Sequence, residues 1–391
     1  MLQIVNPATE QVIAEVPEDT AETIEAKYGE AAAAQPLWAA LPIADRLACI
    51  SRFSALLDTL KEPLAQTLTS EVGKPLQQSL NEINGARARI DFFLQHSEQA
   101  LAEEWITKEG LTKEKITREP LGVIANISAW NYPYLVGVNV FIPALIAGNT
   151  VLYKPSEYAM LTGLDIERMM QDAGVPKEVF QLIIGTGEAG KALLNLPLNG
   201  TFFTGSYATG KKIAEATAGK MVPVQMELGG KDPLYVMDDI QDIRAVAASA
   251  LEGVMYNAGQ SCCAVERIYV QEGVYEAFVE AIKAEAGNMK MGNPAEEGID
   301  LGPVCRPQQL AVLQAQVKDA LDKGATLLFR PTDLPQKGYY YPITLLTGVN
   351  HHMSIMKEES FGPVVGIQKV KTDEEAVKLM QDTVYGLTAA V

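Results

Sequence analysis

The sequence predicts an α/β protein of more than one domain, built on a doubly wound parallel sheet, and three observations carry that expectation. At 391 residues the chain exceeds what a single core usually organises, roughly 100 to 200 residues per domain. Beyond about residue 120, short apolar runs of strand length alternate with segments of helical period. The apolar run Leu182-Ile183-Ile184 leads into Gly185-Thr186-Gly187-Glu188-Ala189-Gly190, a G-x-G-x-x-G turn ahead of a helix-like segment.

Taken in order, residues 21–104 are Ala-rich with Leu56, Leu57 and Leu60 on one face, a pattern that suits helices laid over a sheet. Residues 105–119 alternate apolar or β-branched with charged side chains around Gly110, which predicts a polar two-stranded ribbon. A solvated hairpin and a ribbon used in subunit contact both fit it. No residue from 120 to 153 is charged, a length that would span a membrane, but Asn126, Asn131, Asn139, Asn149, Pro133 and Pro143 interrupt it. The segment therefore reads as a buried strand at 122–127, a turn at Asn131-Tyr132-Pro133, a helix with Leu135, Val138, Ile142 and Leu145 on one face, and a strand at 150–153. Further strands are expected at 179–184, 201–203, 222–226 and 233–237, and a helix at 243–256. The nucleotide-type turns precede Leu228-Gly229-Gly230 and the reactive cysteines follow it. The expected division is thus 1–104 with 120–228 as one domain, 105–119 as a hairpin, and 229–391 as the other.

Composition excludes several functions. With 49 Asp and Glu against 32 Lys and Arg the net charge is −17, a field that repels a phosphate backbone, so no nucleic-acid partner is expected. The four cysteines include the adjacent pair Cys262-Cys263, a poor basis for a disulfide framework, which points to a reducing compartment. Three histidines are too few and too scattered for a zinc cage or a Ser-His-Asp set; no metal is expected, and His351-His352 reads as a surface turn. The first residues lack a basic segment followed by an apolar one, so no signal peptide is visible and the expected location is the cytoplasm.

Several segments are candidates for chemistry. The G-x-G-x-x-G turn reads either as a pyrophosphate loop or as a tight strand-to-helix turn, and Glu188, an anion at a helix N-terminus, speaks against the first. Phe203-Thr204-Gly205-Ser206, followed by Gly210-Lys211, is a second strand-to-helix turn whose amides and hydroxyl suit a diphosphate. Lys154-Pro155-Ser156-Glu157 ends a strand, where open α/β sheets hold ligands; Glu157 would accept from ribose hydroxyls and repel a 2′-phosphate, the plainer reading being a surface ion pair. In Gly259-Gln260-Ser261-Cys262-Cys263 a polar, glycine-containing loop surrounds two thiols, which suits an accessible nucleophile as well as simple packing. Glu227, in Met226-Glu227-Leu228-Gly229-Gly230-Lys231, follows an apolar strand; burial there would raise its pKa toward that of a general base, the alternative being a structural carboxylate.

Taken together these residues resemble the aldehyde dehydrogenase superfamily from Asn6-Pro7-Ala8-Thr9 to Tyr385-Gly386-Leu387. The specific matches, all in family order, are Trp130-Asn131-Tyr132-Pro133, Lys154-Pro155-Ser156-Glu157, Phe203-Thr204-Gly205-Ser206, Glu227-Leu228-Gly229-Gly230-Lys231, Gly259-Gln260-Ser261-Cys262 and Glu359-Ser360-Phe361-Gly362-Pro363. The resemblance implies a Rossmann-like NAD-binding domain, an α/β catalytic domain and a β-ribbon oligomerisation element. It also implies NAD as cofactor, with NADP possible, a homodimer or homotetramer, and a small-molecule aldehyde as substrate.

By the same resemblance Cys262 attacks the aldehyde, Asn131 and the Cys262 main-chain N–H hold the oxyanion, and Glu227 activates the water that hydrolyses the thioester. Trp130, Lys154, Glu157, Gly187, Gly190, Phe203, Gly205 and Ser206 correspond to cofactor contacts, and Glu359 and Phe361 to the nicotinamide riboside. Glu227 favours the hydrolytic branch over the one that hands the acyl group to coenzyme A. Tyr132, Leu135, Val136, Asn139, Ser261 and Cys263 fall at substrate-tunnel positions; with no cation among them, neutral aldehydes are expected. The chain departs from the family in stopping at Val391, where members continue through a tunnel wall, part of the catalytic domain and a strand of the oligomerisation sheet, and in having Gln381 where Asn is usual. Two competing readings remain at this level: a noncatalytic dinucleotide-binding or structural protein that keeps the fold, and a hydrolase such as an esterase, using Cys262 and Glu227 without nicotinamide.

Overall fold

A computed structural model describes all 391 residues and divides them into two compact units. The first holds residues 1–4, 12–68 and 79–227, and the second holds 5–11, 69–78 and 228–391. The sequence expectation assigned residues 1–104 wholly to the first unit. Residues 5–11 and 69–78 pack instead with the second: Gly73 is enclosed by Pro7 and Pro303, and the Leu76 N–H donates to the Pro294 carbonyl at 2.8 Å. Such an exchange is made by contacts between residues far apart in the chain, so local pattern carries no trace of it.

In the first unit five parallel strands lie in the order Phe180–Leu182, Thr150–Lys154, Val123–Ile127, Gly200–Thr204 and Val224–Glu227. Numbered along the chain this is 3-2-1-4-5, the doubly wound order whose switch point opens a crevice beyond the carboxyl ends of the strands. Val123–Ile127 and Thr150–Lys154 are buried at every position, the polar Asn126, Thr150 and Lys154 included, which suits their largely apolar composition. Helix Ala21–Ala39 packs on Thr150–Lys154 and on helix Gly187–Asn195, while helix Ile43–Thr59 packs on helices Pro133–Ile146 and Met160–Asp172. Val138, Ile142 and Leu145 are buried on helix Pro133–Ile146 as their spacing predicts, with Leu135 at the margin. The ribbon forms as antiparallel strands Glu104–Thr107 and Glu114–Ile116, turning at Gly110 with φ of +92°. No helix is long and apolar enough to cross a membrane.

The second unit has its own sheet, ordered Asp232–Val236, Val265–Gln271, Val364–Val370, Thr344–Thr347 and Thr326–Phe329, parallel except for the last strand. The period-2 rule assigns its two faces: Ile268 and Val270 pack with helices Ile243–Met255 and Tyr275–Asn288, and Tyr269 packs with helices Pro307–Asp322 and Asp373–Gln381. The turn at 351–352 is present, but only His352 is exposed. His351 points inward, Nε2 2.8 Å from the Tyr269 hydroxyl and Nδ1 2.6 Å from Asp382 Oδ2, a correction to the surface-turn expectation.

Candidate active site

Because the first sheet is parallel, the carboxyl ends of its strands share one edge, and the candidates from 128–131, 154–157, 185–190, 204–206 and 227 all follow or end strands there. Lys154 closes its strand only 4% exposed, with Nζ donating to the Pro155 carbonyl at 3.1 Å. Burial pushes its ammonium below the usual lysine range, and the charge of Glu157 opposes that shift. Glu157 opens a single 3-10 turn, Glu157–Ala159, whose Tyr158 N–H is capped by Ser156 Oγ at 3.3 Å. The carboxylate is therefore half-buried at a strand end, placed to accept from a diol.

The turn after Gly200–Thr204 depends on a bare backbone. A Cβ on Gly205 would lie 2.5 Å from Cζ of Phe203, whose ring, 6% exposed, forms the floor of the turn. Ser206 is the N-cap of helix Tyr207–Thr217; its Oγ accepts from the Thr209 N–H at 3.3 Å and donates to Thr209 Oγ1 at 3.0 Å. With the hydroxyl engaged in capping, the helix N-terminal amides are what the turn offers an anion. Within the fingerprint, Gly185 is the constrained residue, with φ of +148° and a Cβ that would sit 2.8 Å from Ala189 Cβ. Gly187 opens helix Gly187–Asn195 into free space, and a Cβ on Gly190 would lie 3.6 Å from the Lys154 side chain. Glu188 pairs with Lys191 at 2.6 Å on the exposed side, so the geometry favours the tight-turn reading of this motif.

Asn131 is 4% exposed just ahead of helix Pro133–Ile146, between half-buried Trp130 and Tyr132. Sequence reasoning missed what anchors that helix: the Tyr134 and Leu135 N–H groups donate to Glu82 Oε1 at 2.9 and 3.4 Å. The available signal was a carboxylate beside Ile83, Ala86 and Ile90 on the apolar face of helix Leu76–Leu101. Val136 is half-buried on the same helix as Leu135, and Asn139 is exposed. Glu227 ends the edge strand, in register with Thr204, and its carbonyl accepts from the Gly205 N–H at 3.0 Å. The expected burial of its carboxylate is not found: an edge strand lacks a neighbour on one side, and Glu227 is exposed.

The second unit presents its candidates at the amino ends of its strands, Gly229-Gly230 before Asp232–Val236, Cys262 before Val265–Gln271 and Glu359 before Val364–Val370. The cysteine loop opens with three successive left-handed residues, Asn257, Ala258 and Gly259, with φ of +54°, +53° and +72°. Such backbone persists only where its surroundings over-determine it. Gln78 Oε1 accepts from the Asn257 N–H at 2.8 Å, Gln260 Nε2 donates to the Asn257 carbonyl at 3.0 Å, and Gln260 Oε1 accepts from the Cys305 N–H at 2.8 Å. Gly259 passes so close to Gly362 that a Cβ would lie 2.3 Å from its carbonyl oxygen. Gly259 and Gln260 are thus the structural support of the loop.

On that loop Cys262 is half-buried and Cys263 exposed, with Ser261 Oγ 3.3 Å from Cys263 Sγ. The Cys262 S–H donates to Cys263, which holds Cys263 down to about 5 and, with burial, pushes Cys262 up. One proton between two sulfurs makes the first ionisation of the pair easy and the second hard. Glu359 lies over the two glycines: a Cβ on Gly229 would sit 1.8 Å from Glu359 Oε1, and the Gly230 N–H donates to the carboxylate. Burial, then the charge of Glu266, lifts Glu359 to about 7. Phe361, half-buried, has φ of +51°. The N-terminal amides of helix Tyr207–Thr217 and the Glu157 acceptor on one edge fit the phosphates and ribose of a dinucleotide.

The profile of the aldehyde dehydrogenase family matches residues 1–391. The chain is 34% identical over 393 residues to lactaldehyde dehydrogenase of Escherichia coli (strain K12), covering 100% of this chain and 82% of that protein. It superimposes on an aldehyde dehydrogenase from Brucella melitensis biovar abortus 2308 with a TM-score of 0.95 at 32% identity, over 99% of this chain and 80% of that one. Betaine aldehyde dehydrogenase from Staphylococcus aureus in complex with NAD+ gives a TM-score of 0.95 at 30% identity, over 100% of this chain and 78% of that one.

Proposed function

The chain belongs to the aldehyde dehydrogenase family, oxidoreductases that oxidise aldehydes with NAD(P), and from that premise we propose that it is a hydrolytic member that releases a free carboxylic acid without coenzyme A. The observation that carries this reading is Glu227, an exposed carboxylate whose main chain is tied to the Thr204-Gly205-Ser206 turn.

In this reading Cys262 forms the carbon–sulfur bond to the aldehyde carbon as its S–H proton passes to the Cys263 thiolate. The side-chain amide of Asn131 and the Cys262 main-chain N–H donate to the oxyanion, each contributing about 3 kcal/mol to the transition state. A nicotinamide held by Glu359 and Phe361 would supply the hydride acceptor needed to oxidise the thiohemiacetal on Cys262 to a thioester. Glu227 then takes a proton from the water that attacks the thioester carbon, and Cys262 leaves as thiolate. Lys154, Glu157, Gly205 and the helix N-terminus at Ser206 hold the nucleotide, with Trp130, Phe203, Gly187 and Gly190 around it, and Glu359 and Phe361 hold the riboside. Glu157 favours NAD over NADP by repelling a 2′-phosphate.

Tyr132, Leu135, Val136, Asn139, Ser261 and Cys263 line the aldehyde's path; the absence of a cation among them supports a neutral substrate. Self-association through the ribbon is supported by its exposed Trp105, Ile106, Leu111 and Ile116, and a reducing, cytoplasmic compartment by the four free cysteines. The test is NADH formation over a panel of aldehydes. Cys262→Ala should abolish it, while Glu227→Gln should keep a first-turnover burst and lose roughly 100-fold or more in steady state. An unaltered steady state in Glu227→Gln would remove the hydrolytic assignment, and one in Cys262→Ala the whole mechanism.

A further inference from the structure

Lys231 and Glu266 form an ion pair of 2.7 Å in the second unit, 1% and 4% exposed. A buried pair of this kind gains little stability over apolar side chains of similar volume, because desolvation consumes most of the attraction. What such a pair can do, and an apolar one cannot, is accept hydrogen bonds from buried main-chain N–H groups. Glu266 does so with both oxygens: Oε2 accepts from the Ser360 N–H at 2.8 Å and Oε1 from the Phe361 N–H at 2.9 Å. Lys231 Nζ also donates to Ser360 Oγ at 2.8 Å, and Ser360 Oγ donates to Gln316 Oε1 at 2.7 Å. From the same helix Gln316 Nε2 reaches the Glu359 carbonyl at 3.1 Å and Gln309 Nε2 the Ser360 carbonyl at 2.5 Å. Three consecutive residues, ending at a phenylalanine with φ of +51°, are thereby held on both sides of the chain.

We propose that Glu266 is a positioning residue for cofactor binding: steadied by Lys231, its carboxylate grips the Ser360 and Phe361 amides and so fixes the Glu359 and Phe361 side chains against the nicotinamide riboside. This rests on the reading above that Glu359 and Phe361 are riboside contacts. Glu266 touches neither cofactor nor aldehyde; it acts through the segment it holds. The sequence signal was a Glu-Arg pair inside an otherwise apolar strand, Val265–Gln271, where a charge must find a buried partner.

The test compares Glu266→Asp, which keeps the charge beside Lys231 but is one methylene too short to reach both amides, with the parent enzyme and with Glu359→Ala. NADH affinity is followed by fluorescence titration, KM for NAD and for aldehyde by steady-state kinetics, and folding by thermal melting. The inference expects Glu266→Asp to raise the NADH Kd and the KM for NAD about tenfold or more, ahead of any change in KM for aldehyde. Equal changes in both KM values, or an unchanged NADH Kd in a folded protein, would overturn it. Should Glu266→Asp fail to fold, Lys231→Met combined with Glu266→Gln removes both charges without stranding one, and the same rise in Kd is expected; wild-type affinity there would overturn the inference equally. An unchanged Kd in Glu359→Ala would overturn the riboside reading itself, whereas an unchanged Kd in the Glu266 variants alone would overturn only the role of Glu266.

Discussion

At Cys262 and Cys263 adjacency has a chemical consequence: the proton that one thiol gives the other makes their first ionisation a property of the pair. Replacing Cys263 with Ala removes the acceptor, so Cys262 must ionise alone in a half-buried site. The acid limb of the kcat/KM profile should move up by about one pH unit or more, with alkylation by iodoacetamide slowing in parallel. A limb that stays in place would assign it to another group. Glu157 invites a second change. Glu157→Gln keeps the acceptor geometry and removes the charge, so the preference for NAD over NADP should fall about tenfold, read as the ratio of the two kcat/KM values. Both residues were legible as candidates from their motifs. The division of the proton between two sulfurs was not, because it depends on side-chain rotamers.

At the scale of the element, glycines that look alike in the sequence have opposite roles. Gly187 belongs to a recognised fingerprint, yet its Cβ would meet open space at the first position of a helix. Gly259 has φ of +72° and would drive a Cβ into the Gly362 carbonyl. Gly187→Ala should therefore leave unfolding free energy within about 1 kcal/mol of the parent, helix propensity offsetting any local loss. Gly259→Ala should cost roughly 2 to 4 kcal/mol in denaturant titration and displace the cysteine loop. The reverse ranking would mean that the loop relaxes freely and that Gln260 does not fix it. Glu82 shows the same limit of local reading: its place on the apolar face of one helix became meaningful only when another helix brought two first-turn amides to it.

At the scale of the whole molecule, Glu359 links protonation to stability. Its carboxyl is lifted from 4.5 to about 7, so the folded protein holds a proton that the unfolded chain releases. The stabilisation is fully present below about pH 4.5 and is lost as pH rises through about 7, amounting to on the order of 3 kcal/mol across that window. Unfolding free energies at about pH 5 and about pH 7.5 should differ by less in Glu359→Gln than in the parent by that order. Equal pH dependence in the two proteins would show that the carboxylate ionises freely. Occupation of the riboside site is expected to depend on the same proton.

The sequence by itself determined the alternation of strands and helices, the position of the ribbon and the candidate residues on each loop, because hydrophobic period, turn glycines and motif order are local and are written in consecutive residues. The burial of Val123, Ile124, Ala125 and Ile127, and of Val151, Leu152 and Tyr153, follows directly from their apolar side chains. Tertiary structure decided the rest. It placed residues 5–11 and 69–78 with the second unit, left Glu227 exposed on an edge strand, and seated Glu359 on two glycines. It also buried the Lys231–Glu266 pair beneath the Ser360-Phe361 amides. Each of these turns on which segments distant in the chain meet or fail to meet, and the strength of such a contact depends on what solvent is removed from it, which no stretch of sequence records.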